Sequence, residues 1–221
     1  MKLQAEGFIL GNEESGFRFA ESEKAINNSP TNSSMESVVL SGLPAAGKTT
    51  VGGILCNILG FRLLGGGDIL KEMAAERGFK VTGKEWWDTP DGAKFLKERE
   101  SNPNFDKEVD RKLDEKIRKG DIVVTSYTAP WIIDAGFKVW LNGSTTKRTE
   151  RMAKRDGTDI EDMAKVVKLR DSENKKLYKN LYNIDYGKDL SPFHLIIDTN
   201  EITPEEVAEI IINKYKERNS R

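Results

Sequence analysis

VVLSGLPAAGKTTVGGILCNILG, residues 38 to 60, reads as strand, glycine loop and helix in that order. Val38 to Leu40 is a short apolar run of the kind that sits inside a parallel sheet. Val51, Ile54, Leu55, Ile58 and Leu59 recur at i, i+3, i+4, i+7 and i+8, one face of a helix. Gly60 stands where a left-handed C-terminal cap belongs. Between strand and helix lies GLPAAGKTT, Gly42 to Thr50, which matches G-x-x-x-x-G-K-[ST]. Gly42 and Gly47 permit backbone angles that a Cβ forbids. With Leu43, Pro44, Ala45 and Ala46 between them, the loop can turn its N–H groups inward as an anion nest. The following helix adds the positive end of its dipole. Lys48 puts a point charge near the β and γ phosphates of a nucleoside triphosphate. Thr49 offers its hydroxyl to the magnesium ion that those phosphates bring, and Thr50 closes the loop. A bare turn has no use for the lysine and threonine, so the loop is expected to bind ATP.

Outward from this unit the pattern repeats. Phe61 to Leu64, Ile122 to Thr125, Phe137 to Leu141 and Leu195 to Asp198 read as four further strands. Asp68 is an N-cap candidate for a helix to Arg77. Residues 83 to 118 read as helix interrupted at Pro90 and Pro103, and residues 147 to 181 as one long charged helix. Thr203-Pro-Glu-Glu opens a final helix with a cap, a proline at the first position and two acids in the first turn. Five strands alternating with helices predict an α/β fold of the P-loop NTPase type, a five-stranded parallel sheet with helices on both faces. An acceptor-binding insertion (about 68–118) and a lid (about 147–183) complete the kinase domain, 35–221. Residues 1–34, which end in the turn-rich AINNSPTNSS, are expected to form a flexible extension.

Of the 221 residues, 37% are apolar and 32% charged, and 35 Lys and Arg face 36 Asp and Glu. That balance does not recommend nucleic acid as a partner. One cysteine, Cys56, and one histidine, His194, leave no intramolecular disulfide and no Cys/His metal cluster. No run approaches the ~20 apolar residues that span a bilayer. A cytoplasmic, monomeric protein acting on small nucleotides is expected.

The loop alone does not separate kinase from GTPase, but the N-K-x-D and D-x-x-G signatures of GTPases are absent. GGGDILKEMA, Gly65 to Ala74, resembles the G-D-L-L-R segment of nucleoside monophosphate kinases, with Lys71 in the place of the arginine that meets the acceptor phosphate. Lysine neutralises a phosphate but cannot fork onto it. Arg148, Arg151 and Arg155 fall on one helical face, followed by Arg170 and Asp171, as in a lid whose arginines cover the transferring phosphoryl group. Residues 36 to about 216 resemble the archaeal-type cytidylate kinases. The resemblance rests on these segments together with FDKEVDRKLDEKI (105–117), KVWLN (138–142), RMAKRDG (151–157), LRDSENKKLYKNLYNID (169–185) and DLSPFHLIIDT (189–199).

That resemblance implies transfer of a phosphoryl group from ATP to CMP or dCMP. It implies Gly42 to Thr50 as the ATP site, Lys48, Arg155 and Arg170 as catalytic residues, and Asp68, Lys71, Trp131 and Asp171 on the acceptor side. The chain departs from the family's R-L-x-G-W segment at TSYTAPW, Thr125 to Trp131, where Trp131 is kept and the arginine position is either lost or taken by Tyr127. Other acceptors (UMP, AMP or a metabolite) and a slow ATP-hydrolysing switch are the alternatives. Trp86 and Trp87 are read as packing residues rather than a base-stacking face, and His194 as the start of a strand rather than a base.

Overall fold

The computed structural model describes residues 34–102 and 104–220. Among them, β1 (Val38–Ser41), β2 (Arg62–Gly65), β3 (Ile122–Thr125), β4 (Phe137–Asn142) and β5 (Leu195–Asp198) form one sheet in the order β2-β3-β1-β4-β5. Every neighbouring pair is parallel, with Val38 opposite Val123 on one side and Phe137 on the other. Side chains alternate across the sheet, so β1 feeds two cores. Val38 and Leu40 pack with Leu55, Ile211 and Tyr215, beneath α1 (Lys48–Leu59) and α8 (Pro204–Asn219). Val39 packs with Val124, Met73 and Ile117 on the opposite face, beneath α2 (Gly66–Glu76) and α4 (Phe105–Lys119). That is why β1 is apolar at every one of its first three positions rather than at alternate ones.

Local chemistry sets the boundaries. Gly60 caps α1 at φ 72°, and its N–H donates to the Cys56 carbonyl. Thr203 and Glu206 form a reciprocal capping box at the start of α8.

Two expectations need correction, and two details were not foreseen. Asp68 is not the N-cap of α2: the helix begins two residues earlier with Gly65 as cap, and Asp68, in the first turn, accepts from the Gly65 N–H at 2.7 Å. Pro90 starts a helix, α3 (Pro90–Glu100), because Thr89 caps it and the missing proline N–H has no partner to lose at that position. A 3-10 turn, Lys84–Asp88, precedes it. The long charged stretch is two helices, α6 (Thr145–Asp156) and α7 (Ile160–Tyr182), divided at Gly157, φ 64°, with Asp159 capping the second. A short helix, α5 (Ala129–Ile132), follows β3 unannounced. The expectation for Pro103, and that for residues 1–33, lie outside the described residues. Trp86 is fully buried against Trp87 and Phe95, at ring separations of 4.8 and 5.6 Å, which is a packing role. No helix among the described residues is long and apolar enough to cross a membrane.

Candidate active site

The loops that follow β1, β2, β3 and β4 all open at the carboxyl edge of the sheet, where open α/β sheets bind ligands. The loop after β1 is Gly42 to Gly47. Gly42 has to be glycine: a Cβ there would lie 2.4 Å from the Leu141 carbonyl oxygen. Ala45 takes a left-handed φ of 62°, unusual for alanine, and Gly47 has φ 100° as it leads into α1. Lys48, the first residue of α1, is buried. Its Nζ donates to the Gly42 and Leu43 carbonyls at 3.0 and 3.1 Å and lies 4.6 Å from the centre of the Tyr127 ring. The fully buried Tyr186 hydroxyl donates to the same Gly42 oxygen at 2.7 Å. The ammonium is therefore held at the rim of a ring of backbone groups, with Thr49 and Thr50 beginning the helix beside it.

The loop is braced from outside by Arg148. This side chain is 1% exposed and donates to the Pro44 carbonyl at 3.2 Å, to the Gly143 carbonyl at 3.0 Å, and to both oxygens of Asp171 at 2.9 and 2.6 Å. The expected lid stripe is thus divided. Arg148 is a buried clamp, and Arg151 is bonded to the carbonyl and hydroxyl of Thr199. Arg155, at the exposed end of α6, pairs with Asp156 at 2.6 Å. The paired Arg155 guanidinium, with a further contribution from Arg170, holds the Asp156 carboxyl below its ordinary range. Arg170 also acts on Tyr178, whose hydroxyl is pushed far up by burial.

On the acceptor side the expected residues are dispersed. Asp171 accepts from Arg148, the brace of the phosphate loop, with both carboxylate oxygens. Trp131 belongs to an aromatic cluster with Trp140, Tyr186 and Phe193, and its indole N–H donates to the Asp189 carbonyl at 3.1 Å. Both side chains are engaged in holding the fold. Lys71 donates to the Gly83 carbonyl at 2.9 Å and sits 5.6 Å from the Trp87 ring centre, while Asp68 caps the Gly65 N–H.

The sequence reading passed over a second set of residues. Tyr127 stacks on Tyr178 at 6.1 Å, and Tyr178 meets Tyr186 edge-on at 5.1 Å. Four residues further along α7, the Tyr182 hydroxyl donates to Asp110 of α4 at 2.9 Å. Arg99 of α3 lies close by, paired with Asp106 at 2.8 Å. The signal was the Tyr178/Tyr182 pair at i, i+4, on the helix face that also carries Asp171.

A phosphate-binding loop at the carboxyl edge of a 2-3-1-4-5 parallel sheet, with a lysine buried in it, defines a P-loop phosphotransferase. The family model for the cytidylate kinase-like family matches residues 37–201. The cytidylate kinase of Pyrococcus abyssi is 35% identical over 175 residues, covering 79% of this chain and 90% of that protein. That of Pyrobaculum aerophilum is 32% identical over 178 residues, covering 80% and 90%. A solved structure of an uncharacterized protein from Eubacterium ventriosum shares the fold, with a TM-score of 0.61 at 16% identity, covering 84% of this chain and 98% of that one. The chain belongs to the cytidylate kinase-like family.

Proposed function

We propose that this phosphotransferase moves the γ-phosphoryl group of ATP to CMP or dCMP, with magnesium as the accompanying ion. The observation that carries the reading is Lys48, buried in the phosphate loop of a chain whose curated relatives are cytidylate kinases.

The acceptor phosphate has a second pKa of about 6 and is mostly dianionic at pH 7, so no protein base is needed. One of its oxygens attacks the γ phosphorus. The bond from that phosphorus to the bridging oxygen breaks, and the electron pair leaves with ADP. The protein's task is alignment and charge neutralisation. Lys48 and the loop N–H groups hold the donor phosphates. The Thr49 hydroxyl is a hard oxygen donor that fits magnesium. No group of three or more His, Cys, Asp or Glu among the described residues could hold a metal by itself, so the nucleotide phosphates and water supply the remaining oxygens. Held by Thr49 and the nucleotide, such an ion would supply positive charge to the donor phosphates. Arg155, at the exposed tip of the α6–α7 pair, and Arg170, beside the Asp171 anchor, cover the transferring group, and Lys71 exchanges the Gly83 carbonyl for the acceptor phosphate. The balanced charge, which does not favour nucleic acid, supports small nucleotides as the partners, and a cytoplasmic monomer is part of the proposal.

The test is ADP formation from magnesium ATP with CMP, dCMP, UMP, AMP or no acceptor. CMP or dCMP should stimulate turnover by at least about 100-fold. Hydrolysis indifferent to every acceptor would point to an ATP-driven switch instead.

A further inference from the structure

We propose that Asp110 reads the acceptor base, its carboxylate accepting a hydrogen bond from the exocyclic amine of cytosine; this rests on the nucleoside monophosphate kinase reading above. The first sign is a pair of acids beside the packed face of a helix. Asp106, Asp110, Leu113 and Ile117 share one face of α4, and the last two are buried core residues. Phe105 is buried and Val109 packs against the same core, so Asp106 and Asp110 form a half-buried acidic edge beside an apolar stripe that runs the length of α4.

What faces those acids is α7, which runs like a ruler from the donor site. Asp171 touches the clamp on the phosphate loop, and Tyr178 stacks on Tyr127, the ring beside Lys48. Tyr182 meets Asp110. The eleven residues from Asp171 to Tyr182 span about 16 Å of helix. Asp110 thus stands at the far end of a face of α7 whose near end touches the phosphate loop. An acceptor whose phosphate points at Lys48 would present its base there. Arg99 of α3 acts electrostatically on Asp110, Tyr178 and Tyr182, so a cation also faces this end of α7.

The chemistry of the site is selective. Tyr182 donates to one Asp110 oxygen, and among the described residues no hydrogen bond reaches the other. A carboxylate only accepts. Cytosine offers an amine at the position where uracil offers a carbonyl oxygen, so Asp110 attracts one and repels the other. Burial, opposed by the Tyr182 hydrogen bond, pushes the Asp110 carboxyl up to about 6. Carrying its charge at neutral pH works against the fold, as is common for groups retained for function.

The experiment compares kcat/KM for CMP and UMP in wild type and Asp110→Asn. Tyr182 should hold the amide oxygen and turn its NH2 toward the base, where it donates to uracil. The CMP-to-UMP ratio is expected to fall at least about 10-fold, with UMP gaining in absolute terms. Melting at pH 7.5 should be no lower than in wild type, since a burdened charge has been removed. Independently of any variant, wild type should use the nucleotide of pyrimidin-2-one, which lacks the amine, at least about 10-fold less well than CMP. Wild type that phosphorylates CMP, with the ratio within 2-fold in the variant (about 0.4 kcal/mol), or with the pyrimidin-2-one nucleotide turned over like CMP, would overturn the role of Asp110 and leave the kinase reading standing. Wild type that phosphorylates no nucleotide would overturn both.

Discussion

His194 and Lys138 hold β5 to β4 through two reciprocal bonds. The His194 N–H donates to the Lys138 carbonyl, and the Lys138 N–H donates to His194 Nδ1, each at 2.9 Å. The second requires a neutral ring. Burial, together with the charges of Arg218 and Lys138 and against that of Glu36, lowers the His194 pKa. In the unfolded chain the ring takes up a proton first, so its contribution to stability is complete above about pH 6.5 and is lost as pH falls below that value. The difference in melting temperature between wild type and His194→Gln should therefore shrink from pH 7.5 to pH 5. A constant difference would remove the role of Nδ1. Cys56 lies at the other extreme, its thiol pushed up by burial to about 11, and it should resist alkylation at pH 8 in the folded protein. At this scale the sequence spoke clearly wherever a residue's task is local. Gly42, Gly47 and Lys48 act within one loop, and their spacing alone announces it. Asp110 and Tyr182 are 72 positions apart, and nothing near either of them names the other.

The pair of helices α6 and α7 binds the phosphate loop through Arg148 and Asp171. Arg148 is buried and Asp171 is 14% exposed at the side chain, so removing either partner strands a charge. Arg148→Met should cost about 3–5 kcal/mol in urea denaturation. Adding Asp171→Leu should recover part of that loss, because the uncompensated carboxylate goes with it; purely additive losses would show that the ion pair is not the coupling. The composition of this region reads as a solvated, ion-paired lid, and a 3.6-residue period cannot say which arginine of a stripe turns inward. The break between the helices was legible, since Gly157 and the Asp159 cap sit in the usual order, but the uniform charge masked it. Conversely, α8 and β3 were readable from caps and apolar runs because burial on the sheet leaves a pattern that no other role imitates.

For the molecule as a whole, the parallel order β2-β3-β1-β4-β5 gathers four loops at one edge, and one ligand therefore tightens elements distant in sequence. Magnesium ATP at 100 times its Kd should stabilise the fold by about 2.7 kcal/mol and raise its melting temperature by roughly 5–10 °C for a chain of this size. The α/β architecture followed from the sequence because short apolar runs such as Val38–Leu40 and Ile122–Val124 alternate with helical periods. The proposed acceptor site did not, because its residues come from α3, α4 and α7, far apart in sequence. The most direct measurement is steady-state phosphoryl transfer from ATP to CMP by Lys48→Ala, with folding checked by its thermal transition. A cage built around the Lys48 ammonium requires kcat to fall at least about 100-fold while the cooperative transition survives. A folded Lys48→Ala protein that turns over like wild type would contradict it.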